Sequence, residues 1–105
     1  MSDNTEVRSA FADESLTVGA TASGLTLAVF DPDGLSEADR ADFTVKVDAI
    51  SWRVVGLDPS ATVGHLQAAG SHFTVYGNQN LRKLRMIRVT GDATVQVTYY
   101  RRGDS

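Results

Sequence analysis

From Ser15 onward, apolar and polar residues alternate in short runs. Leu16 and Val18 flank Thr17, and Leu25, Leu27 and Val29 are separated by Thr26 and Ala28, with Phe30 closing that run. Phe43, Val45 and Val47 alternate with Thr44, Lys46 and Asp48. Ile50, Trp52 and Val54 alternate with Ser51 and Arg53, and Phe73 and Val75 with Thr74 and Tyr76. Val95, Val97 and Tyr99 alternate with Thr94, Gln96, Thr98 and Tyr100, Met86–Val89 reads as extended, and Val63–Leu66 as a weaker extended piece. Successive strand side chains point to opposite faces, so each run predicts a strand with one face buried and one wet.

Turn residues punctuate these runs. Gly19, Gly24, Gly56, Gly70, Gly77, the Asp58-Pro59-Ser60 loop and Thr90-Gly91-Asp92 separate the strands. Asp31-Pro32-Asp33-Gly34 has the chemistry of a tight reversal, because Pro fixes φ and Gly tolerates positive φ. Ser36 caps a short helical turn through Arg40, with Glu37 and Asp39 in its first turn. Asn78–Leu84 reads as a short helical turn or a bulged crossing, capped by Asn78 or Asn80. No segment keeps a 3.6-residue period over about ten residues. Six to eight short strands follow, and the expected fold class is all-β: an antiparallel β-sandwich, jelly-roll-like, over residues 15–105. The expected core is Leu16, Val18, Leu25, Leu27, Val29, Phe43, Val45, Val47, Ile50, Trp52, Val54, Phe73, Val75, Ile87, Val89, Val95, Val97 and Tyr99. Residues 1–14 are polar and acidic, with Phe11 the one large anchor, and read as a flexible arm that can order on a partner.

Composition narrows the classes. The chain has 105 residues, enough for one domain. It contains no cysteine, which excludes disulfides, thiolate metal sites and cysteine nucleophiles. No apolar run approaches the roughly 20 residues of a membrane helix, and no secretory signal is visible at the start, so no membrane partner is expected. The net charge is −3, but it is unevenly spread: residues 1–48 carry a balance of −7 and residues 49–105 one of +4. Either the two halves show faces of opposite sign, which steers association, or they interleave in one sheet and the charges pair.

Candidate chemistry is thin. His65 and His72 lack a third placed ligand for zinc and read as turn histidines. Asp31, Asp33 and Gly34, with Glu37 or Asp39, are like the start of a calcium loop, but Pro32 and Leu35 break the pattern, so an acidic turn is expected. There is no Gly-x-Ser-x-Gly elbow and no Gly-rich phosphate loop leading into a helix, so no enzyme and no cofactor are expected. Arg82, Lys83, Arg85 and Arg88 cluster in sequence. On one strand, Arg82 and Arg88 would share a side, and Tyr76, Tyr99 and Tyr100 supply aromatic faces. The acidic total argues against nucleic acid and for a protein contact. The contact candidates are therefore Arg82, Lys83, Arg85, Arg88, Tyr76, Tyr100 and Phe11. A sugar-binding platform built on Trp52, Tyr76, Tyr99 or Tyr100 is the alternative, weakened because Trp52 alternates with core positions.

The second half resembles small virion proteins of tailed bacteriophages. The matching stretches are Ala49-Ile-Ser-Trp-Arg-Val-Val-Gly-Leu-Asp-Pro-Ser-Ala-Thr-Val-Gly-His-Leu66, Gly70-Ser-His-Phe-Thr-Val-Tyr-Gly77, Asn80-Leu-Arg-Lys-Leu-Arg-Met-Ile-Arg-Val89 and Gly91-Asp-Ala-Thr-Val-Gln-Val-Thr-Tyr-Tyr-Arg101. In such proteins an "Ile-x-Tyr/Trp-Arg-x-x-Gly" strand precedes a "Pro-Ser/Thr-x-x-x-Gly-His" loop, and "Arg-x-Ile-Arg" and "Asp-Ala-x-x-x-Val-Thr-Tyr" strands follow. Val55 departs from the pattern, where an acidic residue is common, as does the longer acidic arm. The resemblance implies a β-sandwich on a virion, made in the host cytoplasm and carried on the capsid surface. The leading expectation is a capsid decoration, or cement, protein. Its partners would be the major capsid protein or other virion subunits, and it would be a homo-oligomer, with a trimer expected by analogy. A neck, tail or head-fibre module is the alternative.

Overall fold

A computed structural model of the chain describes residues 8–32 and 38–102; the side chains of Arg8 and Arg102 are not described. The elements in chain order are β1 (Arg8–Val18), α1 (Leu27–Phe30), β2 (Arg40–Lys46), β3 (Ile50–Arg53), β4 (His65–Gln67), β5 (His72–Tyr76), α2 (Asn78–Lys83), β6 (Arg85–Arg88) and β7 (Ala93–Arg102). They build two antiparallel sheets, one in the order β1-β7-β2-β5 and one in the order β4-β3-β6. This is the all-β sandwich that the alternation predicts. β1 and β2 from the acidic half flank β7 from the basic half, so the two halves interleave in one sheet.

The core lies between the sheets. Phe43, Val45, Val95, Val97 and Tyr99 come from the four-stranded sheet, Ile50 and Met86 from the three-stranded one. Phe43 and Phe73 are paired across β2 and β5 and stack with ring centroids 4.5 Å apart. Phe73 stacks in turn on Trp52 of β3, also at 4.5 Å, and Trp52 meets His65 of β4 at 4.7 Å. This aromatic ladder bridges the sheets. The Trp52 indole N–H donates to Gln67 Oε1 at 3.3 Å, which lets the half-buried ring keep its polar atom satisfied.

Several expectations need correction. β1 begins at Arg8, so residues 8–14, assigned to an arm, pair with β7 from Arg8↔Arg102 to Glu14↔Val97, with a bulge between Ala10 and Ala12. The remainder of the expected arm, residues 1–7, lies outside the described residues, as does the expected helical turn from Ser36 apart from its last residues. The Leu25–Phe30 run is not a strand: Leu27–Phe30 form one helical turn, with Val29 N–H donating to Thr26 O at 2.9 Å. Phe30 decides this. It is fully buried and stacked on Tyr99 at 5.5 Å, while Leu27, an expected core residue, is 49% exposed. Burial of the larger aromatic overrides the local alternation.

Val47 was also expected inside, yet it is 78% exposed and has φ 77°. β2 ends one residue earlier, and Asp48 N–H donates to Lys46 O at 2.9 Å, closing a γ-turn around Val47. That turn carries the chain from one sheet to the other and returns Ile50 to the core. In β6 the buried residue is Met86, while Ile87 and Val89 are only partly buried. Neither asparagine caps α2. Gly77, at φ 94°, holds the cap position, a backbone state that favours glycine. Asn78 instead donates to Ala38 O at 2.9 Å, and Asn80 donates to Tyr76 O at 2.9 Å. Leu81 and Leu84 from this crossing are buried core residues.

Candidate functional site

The expected basic cluster is divided over two elements and is largely neutralised. Arg82 and Lys83 end α2, whereas Arg85 and Arg88 stand on β6, so Arg82 and Arg88 do not share a strand face. Arg82 pairs with Asp31 and also donates its Nε–H to Asn78 Oδ1 at 2.7 Å. Arg85 pairs with Asp58 at 2.9 Å, and Arg88 pairs with Asp92. The Arg82–Asp31 pair joins the basic half to the acidic half. The Asp31 side chain is wholly buried and the Arg82 side chain is 34% exposed, so this carboxylate depends on its guanidinium partner.

Tyr76 and Tyr100 are brought together by a residue the sequence did not single out. In the register of the four-stranded sheet, Arg40 on β2 lies opposite both Tyr76 on β5 and Tyr100 on β7. Its guanidinium carbon sits 4.6 Å from the Tyr100 ring centroid and 5.8 Å from that of Tyr76. Asp42, two positions along the same face, holds Arg40 in a fork at 3.1 and 2.9 Å and accepts a hydrogen bond from the Thr74 hydroxyl at 2.9 Å. Burial works to raise the Asp42 pKa. The hydrogen bonds from Arg40 and Thr74 and the Arg40 charge outweigh it, and the carboxyl is held below its usual range. The result is an ordered row of tyrosine, arginine and tyrosine on the outer sheet face, of the kind enriched at protein contacts. Strand alternation puts Arg40 and Asp42 on the wet face, but pairing register, which brings the tyrosines to them, is not readable from local sequence.

Phe11 occupies the β1 bulge, where the Arg101 guanidinium lies 5.1 Å from its ring centroid. Tyr99 is buried, stacked on Phe30, and its hydroxyl donates to Glu14. Trp52 is sandwiched between Phe73 and His65. Neither ring offers an open stacking face for a sugar.

Surface hollows accompany these groups. One, of about 230 Å³, lies between α1 and α2 over Phe30, Leu81 and Leu84, with Leu27, Arg82 and Arg85 at its rim. Another, of about 300 Å³, lies beside Phe11 and Thr98. A further one, of about 410 Å³, is at the β3–β4 loop, between Arg53, Val55, Val63 and His65. That loop region also exposes Leu57, and the adjoining edge strand exposes Leu66, which is 68% accessible. Among the described residues, no group of three or more His, Cys, Asp or Glu could hold a metal ion. Asp31 of the expected acidic turn is committed to Arg82; Asp33, Gly34 and Glu37 lie outside the described residues. Among the described residues, no helix is long and apolar enough to cross a membrane.

Compared with known protein families, with curated proteins and with solved structures, the chain matches none.

Proposed function

We propose that this chain is a non-enzymatic structural protein of a tailed-bacteriophage virion, a capsid decoration protein docking on the lattice of the major capsid protein. The observation that carries this reading is the exposed apolar set Val55, Leu57, Val63 and Leu66. These side chains stand on the β3–β4 loop and the edge strand β4, inside the Ala49–Leu66 stretch that resembles such virion proteins. They lie outside the core cluster, Val55 and Val63 line one hollow, and exposed apolar side chains on one loop and its edge strand suit a docking surface. The loop is shaped for presentation. Gly64 has φ 133°, and a Cβ there would stand 2.5 Å from Ser51 Oγ, so only glycine lets this turn pack against β3. A contact repeated over a symmetric lattice can be weak per copy and still hold by multiplicity.

The test is co-sedimentation of the purified chain with undecorated capsids, with copy number counted in intact virions. Saturable binding, and a copy number comparable with that of the major capsid protein, supports the reading. Leu66→Asp should abolish binding without unfolding the chain, because Leu66 is exposed. A count of about five or six per particle assigns it to the neck or tail. No association with particles overturns the proposal.

A further inference from the structure

We propose that the outer edge of β5 pairs with the same edge of a second copy of the chain, joining two four-stranded sheets into one continuous sheet. This goes beyond the capsid reading, which rests on the β3–β4 loop. β5 is an end strand of its sheet and is bonded on one side to β2. The hydrogen bonds fix which of its residues face outward. Gly77 N–H donates to Asp39 O at 2.7 Å, and Val45 N–H donates to Ser71 O at 2.9 Å. Bonded and non-bonded pairs alternate in an antiparallel ladder, so in the same register Phe73 and Val75 are bonded to β2. His72 and Thr74, at the intervening positions, aim their N–H and C=O groups away from β2.

The other three sheet edges are guarded. Ser23 closes β6 through paired backbone bonds with Met86 at 2.9 and 2.8 Å, and Arg88 N–H donates to Gly19 O at 3.0 Å. β1 carries Arg8, Asp13 and Glu14, is bulged at Phe11, and its Glu14 carboxylate accepts from Thr26 N–H at 3.2 Å. β4 is three residues long. Charge, bulges, cover and shortness are the usual protections of an edge. β5, His-Phe-Thr-Val-Tyr, contains no Lys, Arg, Asp, Glu or Pro, and its register with β2 runs without a shift.

The strand that β5 matches is itself. Paired antiparallel about Thr74, two copies set Thr74 opposite Thr74 as a bonded pair, His72 opposite Tyr76, and Phe73 opposite Val75. The exposed side chains His72, Thr74 and Tyr76 then meet one another on the wet face, and the inward Phe73 and Val75 meet on the other. Thr–Thr and aromatic–β-branched pairs are favourable across strands, and no like charges face each other. An edge of five residues is smaller than a stable dimer interface, so the association is weak, with a Kd of about 100 µM.

The experiment is analytical ultracentrifugation of the full chain from about 30 µM to about 1 mM, with amide hydrogen exchange followed by NMR at both ends of that range. The expected result is a mass that rises from one chain towards two, and a Thr74 amide that exchanges several-fold more slowly in the concentrated sample. Thr74→Lys sets like charges face to face and should weaken association at least about tenfold with Trp52 emission unchanged. Thr17→Lys makes the same change at an exposed position of β1 and should leave association as it was. A single-chain mass at about 1 mM, a trimer, or association lost in the Thr17 variant and kept in the Thr74 variant overturns the proposal. So does a Thr74 amide that exchanges equally fast at both concentrations, a readout that needs no variant. Capsid binding is read in a separate assay, so either proposal can fail alone.

Discussion

The Trp52 indole lies on the Phe73 ring at 4.5 Å and within 8° of parallel, and through that contact the three-stranded sheet is fastened to the four-stranded one. Phe73 also stacks on Phe43, so one ring serves both layers. Phe73→Ala should cost about 3 kcal/mol, from lost burial and two lost ring contacts. Because Trp52 is the only tryptophan, its fluorescence reports the same event. Emission should shift to longer wavelength in the folded variant, and chemical denaturation should show an earlier midpoint. An unchanged spectrum would mean that the ladder does not order Trp52.

Arg82→Ala removes the partner of a buried carboxylate. Breaking such a pair costs about 3–5 kcal/mol when both groups are deep. Arg82 is 34% exposed and partly screened by solvent, so the cost falls at or below the bottom of that range, and about 2–3 kcal/mol is expected. Thermal unfolding should fall by about 10 °C or more for a chain of this length. Arg88→Ala is the control: both members of the Arg88–Asp92 pair are well exposed, and its loss should be within about 0.5 kcal/mol.

Val47→Gly should stabilise the fold. A β-branched residue in the left-handed region costs about 1–3 kcal/mol, and the side chain is 78% exposed, so little burial is lost on removing it. Glycine adds about 0.5–1 kcal/mol of unfolded-state entropy. The balance is a gain of about 1 kcal/mol, measurable as a higher denaturant midpoint. Val47→Ile keeps the strain and should show no gain.

Tyr99 gives an alkaline signature. Burial first, then the hydrogen bond to the Glu14 carboxylate and its charge, push the phenol pKa well above its ordinary value of 10.0. The folded chain therefore holds this proton more tightly than the unfolded one. Its contribution is fully present below about pH 10 and is lost progressively as pH rises beyond it. Stability measured from pH 8 to 11.5 should decline above pH 10, and Tyr99→Phe should flatten that limb while lowering stability at neutral pH by about 1 kcal/mol.

The alternation rule reads the strands around Phe43, Val75 and Val97 well because their period matches the pleat. It fails where a single residue breaks register. At Leu27 the pattern is strand-like, yet the backbone coils for one turn there and the Phe30 ring stacks on Tyr99. At Val47 the alternation runs one residue past the end of the strand, because the γ-turn has no glycine to announce it. The arginine cluster is visible as composition, but the aspartates that quench it come from as far away as Asp31. The Arg40 row was hidden for a related reason: its three members are distant in sequence and meet only through strand pairing.

Arg8 lies opposite Arg102 in the first and last strands, so the described chain enters and leaves the sandwich at one place. In topological terms the polypeptide is nearly a ring. A short linker from residue 102 to residue 8 would close it, and new ends could be cut at the exposed tip near Gly56, far in sequence from the join. Such a rearranged chain keeps every strand and carries its ends on the loop proposed to touch the capsid, turning that surface into a point of attachment for any cargo fused there.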